Sequence, residues 1–79
     1  MTKSAAKELE RVPTKDRRRI VTRIGALAED PRPVGAEKLS GDDKYRIRQG
    51  DYRILYEIVD ADLLVTVVRI GNGREVHRR

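Results

Sequence analysis

The chain has no cysteine, tryptophan or phenylalanine, and only one histidine, one methionine and three prolines among 79 residues. Without cysteine there is neither a disulfide framework nor a thiolate to bind metal or attack a substrate, which suits a reducing cytosol. With a lone histidine and no spaced pair of carboxylates, metal catalysis has no support in the sequence, and no cofactor is implied. No glycine loop precedes a helix to cradle a nucleotide. No apolar run reaches the length of a signal-peptide core or a membrane span, so a cytoplasmic protein with no membrane partner is expected. Nothing repeats and no linker divides the chain, which reads as one domain, residues 1–79. A domain this small buries only roughly 60% of its unfolded surface. Its stability should be marginal, and a partner or a homo-oligomeric contact is expected.

What the chain has in excess is positive charge. Eighteen lysines and arginines against 13 acidic residues give a net charge of +5 and a pI near 10.0. Such a balance favours anionic partners, nucleic acid before membrane. Most of the cations are arginine, whose planar fork matches phosphate oxygens.

The most ordered pattern runs from Lys44 to Ile70. In Lys44-Tyr45-Arg46-Ile47-Arg48-Gln49 cations alternate with apolar or neutral residues, the period of a strand with one packed and one open face. Gly50-Asp51 reads as a two-residue hairpin loop, because glycine reaches the positive φ of turns that match strand twist. That loop places Gln49 opposite Tyr52, Arg48 opposite Arg53, Ile47 opposite Ile54 and Tyr45 opposite Tyr56. Lys44, Arg46, Arg48 and Arg53 then share one face, and the tyrosines and isoleucines share the other.

A third strand is expected over Leu63–Ile70, after a three-residue loop Asp60-Ala61-Asp62. This pairing sets Val59 opposite Leu63, Ile54 opposite Val68 and Arg53 opposite Arg69, giving a row of arginines. Like charges directly opposite destabilise a sheet, so a polyanion docking there would explain the row. The plainer alternative is a solvated face of splayed cationic chains. Leu55, Val59, Leu63, Val65 and Val67 would share that face and form an apolar patch for a partner segment. An element of the chain itself is the alternative cover.

Upstream, Ala5, Leu9 and Val12 form the stripe of a short helix capped by Thr2 or Ser4 and ended by Pro13. Thr14 can cap a second helix, with Ile20, Ile24 and Leu27, flanked by Val21 and Ala28, facing the sheet. Arg17, Arg18, Arg19 and Arg23 read as its solvated side, with a nucleic-acid site as the alternative. Asp30-Pro31-Arg32-Pro33 stops this helix. A loop to Asp43 follows, with Leu39 as its anchor.

The stretches Tyr45-Arg46-Ile47-Arg48-Gln49-Gly50-Asp51-Tyr52-Arg53-Ile54-Leu55-Tyr56 and Val67-Val68-Arg69-Ile70-Gly71-Asn72-Gly73-Arg74-Glu75-Val76-His77-Arg78 resemble the toxins of the RelE/ParE superfamily. So do the opening Thr2-Lys3-Ser4-Ala5-Ala6-Lys7-Glu8-Leu9 and the loop Lys38-Leu39-Ser40-Gly41. The resemblance implies an α+β fold, a helical hairpin on a small antiparallel sheet of about three strands. It also implies the toxin of a type II toxin-antitoxin pair, held inactive by a cognate antitoxin. RelE-like members cut mRNA in the ribosomal A site, which makes ribosome and mRNA the further partners; ParE-like members inhibit DNA gyrase instead.

Carried over by position, the basic residues of the strand before the hairpin fall on Arg46 and Arg48, and that of the following strand on Arg53. Arg74 best matches a basic residue near the C-terminal turn, where this chain has Asn72-Gly73 in place of a basic pair. His77 stands where tyrosine is usual. Glu37 corresponds to a glutamate that acts as base in one branch. The resemblance therefore implies Arg48, Arg53, Arg74 and His77 as the catalytic set, with Lys44, Arg46 and Arg69 on the phosphates and Leu55, Val65 and Val67 toward the antitoxin. The family normally opens with a further strand before the first helix, so either the start is misplaced or a strand-donating chain supplies it. A truncated toxin that only binds its antitoxin is the third reading, beside the ribosome-dependent nuclease and the gyrase inhibitor.

Overall fold

The computed structural model describes residues 1–39, 43–59 and 64–72. Two helices, α1 (Lys3–Glu10) and α2 (Thr14–Glu29), precede four strands, β1 (Glu37–Lys38), β2 (Lys44–Gln49), β3 (Tyr52–Val59) and β4 (Leu64–Asn72). The strands form one antiparallel sheet in the order β1-β2-β3-β4. The fold is the expected α+β one, with the short β1 as a fourth strand inside what the sequence offers as a loop.

Each element follows from local chemistry. Thr2 caps α1, its hydroxyl accepting the Ala5 N–H at 3.1 Å. Thr14, expected as the cap of α2, is instead its first helical residue, with Pro13 before it. The Thr14 hydroxyl accepts from Arg17 at 3.2 Å. Proline suits a helix entrance because its fixed φ and missing N–H cost nothing there. Gly50 takes φ +61° in the β2 to β3 turn, and the hairpin register is the expected one throughout.

The alternate residues of the sheet bury one face against the helices. Ala5, Val12, Ile20 and Leu27 meet Tyr45, Ile47, Ile54, Tyr56, Ile58, Val67 and Ile70 in one core. Burying each large aliphatic or aromatic side chain contributes roughly 1.5–3 kcal/mol. The stripe of α2 is narrower than its sequence suggests, because Val21 and Ala28 lie exposed. Leu39 is only half-buried, and Ala36 rather than Leu39 packs on the core.

The β3 to β4 register differs from the expected one. Val59 pairs with Leu64, Ile54 with Ile70, Arg53 with Gly71 and Leu55 with Arg69, and a bulge lies between Leu55 and Tyr56. Four residues rather than three separate Val59 from its partner, and the bulge adds one more on β4. A bulge sets two residues of one strand against one of its partner and so re-aims every side chain beyond it. The one-residue shift at the loop, ahead of the bulge, sets Val65 opposite Ile58 and Val67 opposite Tyr56, so Val67 is buried and Val65 packs against the core instead of lining the open face.

Along its outer edge β4 is held by α1. The Thr2 N–H donates to the Val67 carbonyl at 2.9 Å, and its hydroxyl to the Val68 carbonyl at 3.1 Å. Glu8 accepts the Ile70 N–H at 3.0 Å and pairs with Arg69 at 3.2 Å. The part of this edge between Val67 and Ile70, expected to lie open for want of a further strand, is thus engaged by Thr2 and Glu8.

Candidate functional site

The open face of the sheet is read row by row from the ladder. One row runs Glu37, Arg46, Leu55, Arg69; the next runs Arg48, Arg53, Gly71; and Lys44, Glu57 and Thr66 form a third. Arg48 and Arg53 are direct cross-strand partners, as the hairpin turn requires. Arg69 lies one row away from them, because the bulge and the longer loop shift β4.

Most of the remaining cations are already balanced. Arg46 pairs with Glu37 at 2.5 Å, Lys44 with Glu57 at 3.8 Å, and Arg69 with Glu8 at 3.2 Å. Among the described residues no carboxylate pairs with Arg48 or Arg53. The expectation of one continuous cationic row is thus corrected to a compact pair of unneutralised guanidiniums, Arg48 and Arg53, beside the ion pair of Glu37 and Arg46. Leu55 stays on the open face between Arg46 and Arg69. Val65 and Val67 do not. Arg74 and His77 lie outside the described residues.

Glu37 reaches this group through a loop tied down by two tyrosines. Tyr56, fully buried, donates its hydroxyl to the Pro31 carbonyl at 2.8 Å. Tyr45 stacks on Tyr56 with ring centroids 5.7 Å apart, and it accepts a hydrogen bond from Arg32 Nε at 3.0 Å. Gly35, at φ +97°, then turns the chain so that the Ala36 N–H meets the Pro33 carbonyl at 3.0 Å. The next residue begins β1, with Glu37 opposite Arg46.

Electrostatics follow from these contacts. The hydrogen bond from Arg46, and then its charge, hold the Glu37 carboxyl below its ordinary value of 4.5, with smaller help from Arg48 and Arg53. Glu37 is therefore ionised near neutral pH and exposed, the state in which a carboxylate can take up a proton. Burial pushes the Tyr56 hydroxyl above its usual 10.0, so it remains a protonated donor.

One neighbour was not expected from the sequence. Arg23, assigned above to the solvated side of α2, is half-buried, and it borders a small pocket with Gly35, Glu37, Arg46, Ile47 and Arg48. Its spacing could have revealed this, since it lies three residues after Ile20 and four before Leu27, on the buried stripe.

The chain is similar to known proteins over nearly its whole length. The family model described as the ParE toxin of the type II toxin-antitoxin system parDE matches residues 1–77. No curated protein matches the chain in sequence. Among solved structures, the intact E. coli RelBE toxin-antitoxin complex contains a chain 25% identical, with a TM-score of 0.78, covering 90% of this chain and 89% of that one. The archaeal RelE-RelB complex from Pyrococcus horikoshii gives 27% identity and a TM-score of 0.77, with 90% and 88% covered. The isolated E. coli RelE toxin, at 22% identity, shares the fold with a TM-score of 0.79 over 98% and 92%. With nearly its whole length matched, the chain belongs to the RelE/ParE superfamily, in the ParE toxin family of type II toxin-antitoxin systems.

Proposed function

We propose that this toxin is a metal-independent endoribonuclease that cuts mRNA in the ribosomal A site, and that a cognate antitoxin neutralises it. The observation that carries the reading is the cross-strand pair Arg48 and Arg53, which among the described residues has no carboxylate ion-pair partner and lies near the ionised Glu37. The 2′-hydroxyl attacks the adjacent phosphorus: the 2′-O–P bond forms, the P–O5′ bond breaks, and a cyclic phosphate and a free 5′-hydroxyl result. The hydroxyl proton passes to Glu37, and His77 supplies one to the leaving oxygen. Arg48 and Arg53 stabilise the charge on the phosphorane oxygens through charge-assisted bonds. The complexes of RelE-like relatives with RelB support an antitoxin partner.

The test is Arg53→Ala in a ribosome-programmed cleavage assay. Loss of mRNA cleavage and of growth arrest, with the fold and antitoxin binding intact, is the expected result; an unchanged cleavage rate refutes the site. The description of the matching family as ParE toxins favours a second reading, inhibition of DNA gyrase. Supercoiling by purified gyrase in the presence of the toxin separates the two.

A further inference from the structure

We infer that Arg23 of α2 and the free edge of β2 form a second phosphate subsite, which holds a nucleotide next to the scissile one. The inference rests on the nuclease reading for the identity of its ligand, and on the following geometry for its existence.

The Leu39 N–H bonds the Lys44 carbonyl at 2.8 Å, so Lys44 turns its backbone groups toward β1. Backbone direction alternates along an antiparallel ladder, and Arg46 and Arg48 therefore turn theirs the same way. β1 pairs only with Tyr45 and Arg46. The position that would continue it opposite Arg48 is Gly35, whose φ of +97° takes the chain out of the strand. Among the described residues the edge of β2 beyond Arg46 thus has no ladder partner, and a pocket of about 150 Å³ opens there, lined by Gly35, Arg48, Ile47, Arg23 and the paired Glu37 and Arg46.

Arg23 closes that pocket from the helix side. Its Nε is buried, and among the described residues it has no hydrogen-bond partner. Burying a guanidinium donor without a partner is costly, and an anion held in the pocket against the Arg23 guanidinium would offset the cost of burying its charge. A phosphate would meet the Arg23 guanidinium and the outward N–H of Arg48, while the Arg48 side chain reaches the adjoining face. Arg23 also borders a groove of about 510 Å³ lined by Arg18, Arg19, Thr22, Ala26 and Gln49. The two cavities share Arg23, so a chain of phosphates can pass from the cleavage face along α2.

The experiment reads the arginine Nε–H resonances of the full chain during titration with an oligoribonucleotide whose 2′-O-methyl groups block cleavage. The Arg23 signal, assigned by its loss in Arg23→Lys, should shift together with those of Arg48 and Arg53. In Arg23→Met the affinity should fall at least about tenfold, as for one charge-assisted bond. The slope of log affinity against log salt should shrink by about 0.7. The melting temperature should hold or rise, because the orphaned donor is gone. A response of Arg53 with no response of Arg23 overturns the subsite and leaves the nuclease reading standing. A response of Arg23 in a toxin that fails to cut ribosome-bound mRNA does the reverse. An Arg23 signal that moves with an oligoglutamate peptide and not with RNA overturns the phosphate assignment.

Discussion

Arg48 stands directly opposite Arg53 across the β2 to β3 ladder, and among the described residues neither has a carboxylate partner. Lys44, Arg46 and Arg69 on the same sheet each have one. Facing like charges cost a sheet roughly 0.2–1 kcal/mol, so the two arginines work against the stability of the hairpin that presents them. Arg53→Thr should raise the urea midpoint of unfolding slightly while lowering the cleavage rate by about 10²–10³, the scale for losing one preorganised charge-stabilising group. A variant that is less stable and still active would show the pair to be structural.

Glu37 supplies a pH test. Because Arg46 depresses its pKa below 4.5, the carboxylate form persists through neutral pH, and a rate that depends on it fails only as pH falls through that depressed value. Arg46→Met removes both the hydrogen bond and the charge that lower it, so the acid limb of the pH and rate profile should move to higher pH. Glu37→Gln should abolish that limb along with most of the rate. An acid limb that stays in place in Arg46→Met would remove Glu37 from the role of base.

The β2 to β3 hairpin was legible because Gly50 marks its turn and the alternation of cations with Tyr45 and Ile47 fixes which face is buried. The register of β4 was not. Neither the longer loop nor a bulge leaves a sequence mark where every residue of Val67-Val68-Arg69 suits a strand; the loop turned Val67 into the core, and loop and bulge together set Arg69 one row from Arg53. β1 is too short for any periodicity to show. Glu8 and Arg23 were read as solvated or passed over because charge outweighed position. Glu8 sits three residues after buried Ala5 and four before buried Val12, just past α1, and Arg23 sits three after Ile20 and four before Leu27, which is the place of a residue on the packed side.

Tyr56 couples the core to the site. Its hydroxyl, donated to the Pro31 carbonyl, is one of two polar links, with the Arg32 bond to Tyr45, between the sheet and the loop that delivers Glu37. Tyr56→Phe should cost about 1–3 kcal/mol, since the carbonyl loses its partner in a half-buried setting, and it should lower the cleavage rate further by loosening β1. The folded pKa of Tyr56 is raised above 10.0, mainly by burial. Its contribution to stability is therefore complete below the unfolded value and declines as pH rises above it. The melting temperature should fall above about pH 10, less steeply in Tyr56→Phe, and circular dichroism melts across that range check it.

Glu8 fixes α1 to the edge of β4 by two different bonds. One oxygen accepts the Ile70 N–H at 3.0 Å and the other pairs with Arg69 at 3.2 Å. The ion pair is half-exposed on the Arg69 side and should contribute at most about 1 kcal/mol. The bond to Ile70 satisfies a backbone donor of a strand edge, and its loss exposes that donor without replacement. Glu8→Gln should therefore be mild, because the amide oxygen still accepts from Ile70, whereas Glu8→Ala should cost roughly 1–3 kcal/mol. Hydrogen exchange at the Ile70 amide distinguishes the two: protection should survive in Glu8→Gln and fall sharply in Glu8→Ala. Equal loss of protection in both would mean that the charge pair with Arg69, and not the backbone bond, holds the helix to the sheet.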